Sequence, residues 1–272
     1  MRRAILLPAI LATLALAACG KKEDAGAPAA GAPAGSAAPA ASGADLWPAV
    51  APLVAGSGGR SHTGGCVRMP QLDTVDASIS LDAEGKMTAP EGSTDMRKPQ
   101  LITLSRETAD GVVKAGAMLS MDADKGPVLT LSDEGKPDGT SAGVMRGEQS
   151  LSCPKGPPLD GLRSQPLYKS MARFVETPAV ALKCFNAASP MDAKAAEFKL
   201  AGGIATVGSE RFDLSRAKTE MVMIVPGENQ VTYVFQLPGE PMFHVSYDAS
   251  GKLIGLQRRD DGAAPQGCQA DA

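Results

Sequence analysis

Four cysteines carry the clearest chemistry in the body of the chain: Cys66, Cys153, Cys184 and Cys268. No two of them stand in the C-x2-C spacing on which metal sites usually draw. In an exported chain four such thiols make two disulfides, and three pairings are open. A second candidate is Gly139-Thr140-Ser141-Ala142-Gly143. This is the G-x-S-x-G spacing that can present a serine hydroxyl as a nucleophile, and His244 follows in chain order as a base. The chain has only two histidines, His62 and His244.

The setting decides among these. A serine elbow needs a strand before it, a helix after it and a parallel sheet around it. Ser141 instead falls in a Gly/Ser-rich connection between antiparallel strands, so a hydrolase using Ser141 lacks its frame. His62 lies in the polar loop 56–65 and is read as exposed. His244 alternates with Phe243 and Val245 and therefore faces away from the core. Met221 with Met223, and Met118 with Met121, serve as core filling rather than copper ligands. Lys252, Arg258 and Arg259 form a small basic patch at a solvated strand end. No catalytic residue, metal or cofactor is assigned, and the chain is read as a non-enzyme.

The elements that must position these residues show a repeated pattern. Leu46, Val50, Leu53 and Val54 have the spacing of one helix face, with Asp45 as a cap and Pro52 as a source of shortening. The spacing returns at Leu167, Met171, Phe174 and Val175. Each pattern is followed by a cysteine, Cys66 or Cys184, and then by strand alternation: Ile79 with Leu81, Phe198 with Leu200. Glycine turns follow, at Gly85 and at Gly202-Gly203. Further strands run over 100–104, 112–121 and 128–132, matched by 220–225, 231–237 and 242–246. Both series close on a cysteine, Cys153 or Cys268. The expected fold class is α+β: two tandem repeats, 45–160 and 161–272, each one helix packed on a curved antiparallel meander of five or six strands. If each repeat folds as its own unit, Cys66 pairs with Cys153 and Cys184 with Cys268. Each bond then closes a loop of about 85 residues, worth roughly 4–5 kcal/mol in the chain-entropy account. The rival pairing brackets the second helix with Cys153–Cys184 and joins Cys66 to Cys268.

Upstream of this body, Arg2 and Arg3 precede an apolar run, Ala4–Ala18, that ends in Leu16-Ala17-Ala18-Cys19. The run is shorter than the roughly 20 residues a spanning helix needs. Its basic start, apolar centre and small-residue end are those of an export signal. An aliphatic residue, two small residues and a cysteine resemble the lipobox of bacterial lipoproteins. The resemblance implies a signal peptide over 1–18, cleavage before Cys19, diacylglycerol on its thiol and an acylated amino terminus. Gly20, where an Asp would favour inner-membrane retention, implies transfer to the outer membrane. The partner so implied is a lipid bilayer, bound through acylated Cys19. Residues 20–44 hold no aliphatic side chain larger than alanine and no aromatic, so 19–44 read as a lipidated Ala/Pro/Gly-rich disordered tether.

Without Arg2 and Arg3, 25 of the 27 basic side chains stand against 30 acidic ones. That mildly acidic, mixed balance argues against nucleic acid, which wants a clustered basic face. The second repeat is faintly similar to the cell-envelope lipoprotein inhibitors of C-type lysozyme, in Glu197–Leu200, Ala205–Val207, Phe212–Leu214 and the closing Cys268. The inhibitors' Ser/Gly/Tyr loop has no counterpart, because Lys218-Thr219-Glu220-Met221 stands there. The function expected first is therefore an outer-membrane-anchored periplasmic lipoprotein that binds a periplasmic or envelope partner or supports an envelope assembly. Enzyme inhibition is the alternative.

Overall fold

The computed structural model describes residues 46–122, 126–186, 189–248, 250–260 and 265–270. The signal peptide, Cys19, the tether and the proposed cap Asp45 lie outside the described residues. All elements below belong to the single compact unit that runs to the C-terminus.

Helix α1 (Trp47–Val54) buries Trp47, Val50, Leu53 and Val54, the face the spacing predicts. Pro48 is tolerated in its first turn, and Pro52 lacks an N–H inside it. Eleven strands follow among the described residues: β1 (Arg60–Thr63), β2 (Cys66–Met69), β3 (Asp73–Val75), β4 (Ser78–Leu81), β5 (Lys86–Ala89), β6 (Gly92–Asp95), β7 (Leu101–Ala109), β8 (Val112–Ser120), β9 (Val128–Asp133), β10 (Thr140–Arg146) and β11 (Gln149–Cys153). A helical stretch then breaks into α2 (Asp160–Arg163), α3 (Leu167–Ser170) and α4 (Ala172–Val175). The last nine strands are β12 (Thr177–Asn186), β13 (Ser189–Ala201), β14 (Ile204–Val207), β15 (Glu210–Asp213), β16 (Thr219–Val225), β17 (Gln230–Gln236), β18 (Met242–Asp248), β19 (Leu253–Arg259) and β20 (Gln266–Ala270).

These strands make one 16-stranded antiparallel sheet, in the order β15-β14-β13-β12-β20-β19-β18-β17-β16-β7-β8-β9-β10-β11-β2-β3, and a four-stranded sheet, β1-β4-β5-β6. At the centre β7 pairs with β16, Ile102 opposite Ile224 and Leu104 opposite Val222. Outward from that pair the order is 8-9-10-11-2-3 on one side and 17-18-19-20-12-13 on the other. The second half curls until its outer hairpin meets its own middle strands. Phe212 on β15 packs on Phe243 of β18 with ring centroids 4.8 Å apart, and Arg258 on β19 pairs with Glu210. In the first half the four-stranded sheet meets the large one instead: Arg146 on β10 donates to Thr94 on β6, at 2.9 Å.

The expected α+β class is corrected by this architecture. Strand makes up 57% of the described residues and helix 12%, and the fold is mostly β rather than one helix on each sheet. The physical reason lies in helix length. The pattern Leu167–Val175 does bury one face, but the chain leaves helical geometry at Met171 (φ −112°, ψ 21°), which splits it into two four-residue turns. Eight residues of α1 span about 12 Å, too little to cover a sheet of this size. The apolar strand faces and the short helices share one core, to which both sheets contribute. The two halves are also joined through β7 and β16 instead of standing as separate helix-on-meander units.

The disulfides are Cys66–Cys153 and Cys184–Cys268. They occupy matching places, between β2 and β11 and between β12 and β20, and all four cysteines are buried. Among the described residues, no helix is long and apolar enough to cross a membrane.

Candidate functional site

Strand parity explains how a polar corner forms in the first half. Leu129, Leu131 and Asp133 share the inward face of β9, and Thr140, Ala142 and Val144 that of β10. Asp133 and Thr140 are paired across the two strands, so a carboxylate and a hydroxyl enter the interior together. On β1 the alternation Arg60-Ser61-His62-Thr63 sends Arg60 and His62 inward. His62 is 1% exposed. The expectation of an exposed loop histidine is thus corrected: residues 60–63 are a strand that β4 orders through its ladder.

All four buried groups converge on the segment 154–159, which leads out of β11. Thr63 N–H donates to Lys155 O at 2.7 Å, and Arg60 Nη1 to Pro157 O at 3.2 Å. Thr140 Oγ1 donates to Gly156 O at 2.6 Å and accepts from Gly156 N–H at 3.1 Å. Asp133 accepts at both oxygens. Its Oδ1 accepts from Gly135 N–H at 2.8 Å, and its Oδ2 from Leu159 N–H at 2.8 Å and Arg163 Nη1 at 3.3 Å. The imidazole of His62 lies against Gly156, where a Cβ would stand 2.1 Å from its Cδ2. Burial, and secondarily the Arg60 charge, push the His62 pKa down from 6.5 to about 4, so the ring is neutral at physiological pH. Burial also lowers the pKa of Arg60, against the attraction of Asp133 and Asp160.

In front of this buried layer lies an open cleft of about 440 Å³. Thr140 and Gly156 form its floor, and Lys136, Lys155 and Arg163 bring three cations to its wall. The second half has no such corner. Counted from the half-cystines, Leu131–Ala142–Cys153 corresponds to Val245–Leu256–Cys268 in the ladder. Two residues further along β18, the place of Asp133 is taken by Tyr247, opposite Leu253. Tyr247 donates to Val175 O at 3.0 Å and is fully buried. The strand order therefore does not require a polar corner, since the matching half is built without one.

A second buried carboxylate is structural. Glu220 accepts from Tyr233 Oη at 2.8 Å and from Tyr168 N–H at 3.1 Å, with Arg106 Nη1 at 3.7 Å. Burial raises its pKa, and these donors and the Arg106 charge oppose the rise. It holds the first turn of α3 onto β16.

Ser141 lies inside β10, not at a strand-to-helix turn, and its hydroxyl is 3.1 Å from that of Ser132 on β9. The expected Gly/Ser-rich connection is a strand. His244 stands on β18, six strands away in sheet order, between Val234 and Gln257. The fold does not bring Ser141 and His244 together. Arg258 is tied to Glu210 and Asp260 rather than free in a basic patch. Thr219–Met221, read against the inhibitors' loop, sits within β16 and is laddered on both sides, by β7 and β17.

No protein family, curated protein or solved structure matches the chain.

Proposed function

We propose that this chain is an exported lipoprotein of the bacterial cell envelope, tethered through acylated Cys19 to the outer membrane, with its β-rich body acting in binding or scaffolding rather than in catalysis. One observation carries the reading: two buried disulfides in matching places, downstream of Leu16-Ala17-Ala18-Cys19. Paired disulfides belong to oxidising compartments, and an export signal is the route to one. A thiol at Cys19 carrying diacylglycerol, with an acylated amino terminus, supplies more than one chain, and two or more chains hold a protein firmly on a bilayer.

Mass spectrometry of the protein from its native membranes tests this. A mature N-terminal peptide beginning at triacylated Cys19 is expected, in membranes of outer-membrane density. Cys19→Ala is expected to leave the membrane fraction or to retain its signal peptide. An unmodified Cys19 on a mature chain would make the body a freely soluble periplasmic protein and end the tether.

A further inference from the structure

We infer that the polar corner of the first half is a binding site for a phosphoryl group, seated in the cleft between the β9–β10 turn and the segment 154–159. This gives the proposed binding role a ligand class, but it rests on the corner and not on Cys19.

The argument begins with the charges. Lys136, Lys155 and Arg163 line the cleft against one carboxylate, Asp138, in a chain with more acidic than basic residues. Lys136 and Lys155 make no ion pair among the described residues. Neither amine is spent on folding. Arg163 is positioned instead of loose: Asp133 holds its Nη1, and its Nε is buried without a hydrogen-bond partner among the described residues. Asp133 in turn is committed to the fold, because two backbone N–H groups and Arg163 already use it.

The backing layer adds to this. Arg60 is 8% exposed and stands behind the same segment, its Nε also unpartnered among the described residues. Its charge stands against those of Asp133 and Asp160, so the buried carboxylates behind the cleft are not left unopposed. Gly156 lets the backbone lie against the neutral His62 ring, where a Cβ would not fit. The matching half keeps the ladder and the disulfide but has Tyr247 and Leu253 in place of Asp133 and Thr140. A chain that needed only the fold could have used that uncharged solution twice.

The number and type of cations choose the ligand. A carboxylate is best met by a free guanidinium fork, and one arm of the Arg163 fork is occupied. Two compact ammonium groups with a partly held guanidinium suit an anion that offers acceptors in several directions. A phosphate monoester has three such oxygens and carries about −1.5 to −2 charges at neutral pH.

The test titrates inorganic phosphate, and separately glycerol 3-phosphate, into the isotopically labelled full chain in detergent at constant ionic strength. Saturable shifts are expected in the amides of Gly135, Lys136, Gly139, Lys155, Gly156 and Arg163. The pair Lys136→Gln with Lys155→Gln should weaken binding about tenfold or more with an unchanged unfolding midpoint. Lys194→Gln with Lys199→Gln, the same charge change on β13, should leave it alone. Tighter binding of the ester assigns the source to an esterified phosphate such as a lipid headgroup. Tighter binding of inorganic phosphate assigns the free anion, and equal affinity makes the phosphoryl group the whole recognised unit. Shifts that do not saturate, or a test pair that binds as the wild type does, would overturn the site. Equal weakening by both pairs would mean an adventitious ion only. The outcome is independent of acylation, so loss of this site and loss of the anchor are read separately.

Discussion

Gly203 and Gly85 each lie beneath an aromatic ring, and each has a positive φ, +81° and +89°. A Cβ at Gly203 would stand 2.7 Å from Tyr168, and one at Gly85 would stand 2.9 Å from Trp47. Gly202, its neighbour, also has a positive φ (+57°) but nothing within 4 Å. The two positions separate backbone strain from overpacking. Gly202→Ala should cost about 1–2 kcal/mol, the left-handed penalty alone. Gly203→Ala should cost a further 1–3 kcal/mol, because the ring of Tyr168 must move. Urea midpoints of the two variants measure the gap, and equal midpoints would refute the contact. His62 gives a pH effect at the same scale. Its folded pKa of about 4 lies below the ordinary 6.5, so between those values the unfolded chain takes up a proton that the folded chain refuses. The stability tied to neutral His62 is therefore complete above about pH 6.5, falls as the pH drops through that window, and stops changing below about pH 4. Arg60 reinforces the sign by repelling an imidazolium. His62→Gln should flatten the wild-type slope between pH 6.5 and pH 4. Parallel slopes would place the imidazole in water.

At the scale of the element, legibility followed the apolar alternation. β9 and β18 carry apolar residues at alternate positions and β16 is an almost unbroken apolar run, so all three stand out in the sequence, whereas β7 shows only its first half, because Ser105-Arg106-Glu107-Thr108 carries no apolar residue. α1 is legible through Val50, Leu53 and Val54. β1 and β10 are not, because Arg-Ser-His-Thr and Thr-Ser-Ala-Gly offer no apolar contrast to read. The candidate site rests on those two strands, so most of it was invisible. One signal was available: Asp133 continues the parity of Leu129 and Leu131 and therefore had to point inward. The overestimate of helix has the converse cause, since periodicity reports a shared face and not a length. The disulfides are the other element-level devices. They close loops of nearly equal separation, 87 and 84 residues, in matching places. The chain-entropy account then assigns each about 4–5 kcal/mol. Cys66→Ala with Cys153→Ala and Cys184→Ala with Cys268→Ala should therefore destabilise by similar amounts, within about 1 kcal/mol of each other, in chemical unfolding. A large asymmetry would show that native-state strain, not loop closure, sets their worth.

For the molecule as a whole the decisive contact is the β7–β16 pair. It ladders Ile102 to Ile224 and runs to Glu107 opposite Thr219, so neither half ends there in a free edge. Cut between the halves, each would expose a long strand with unpaired N–H and C=O groups, the kind of edge that recruits other chains. Packing crosses the same boundary. Leu46 ahead of α1 lines a small apolar pocket with Phe174, Ile224 and Val231. α2 docks back on the first half through Asp133 and through Gly161, where a Cβ would meet Pro52 O at 2.4 Å. The segment joining the halves is thus part of the first core, and Glu220 on β16 pairs with Arg106 on β7. A body duplicated in strand order but stitched in this way should unfold as one unit. Far-UV and near-UV signals are expected to share a single transition, with one calorimetric peak whose van't Hoff and calorimetric enthalpies agree. Residues 46–160 and 161–270 produced separately should aggregate or stay unfolded, and should regain the native near-UV signal only when mixed. Two resolved transitions, or a soluble and folded isolated half, would instead make β7–β16 a docking surface between independent domains.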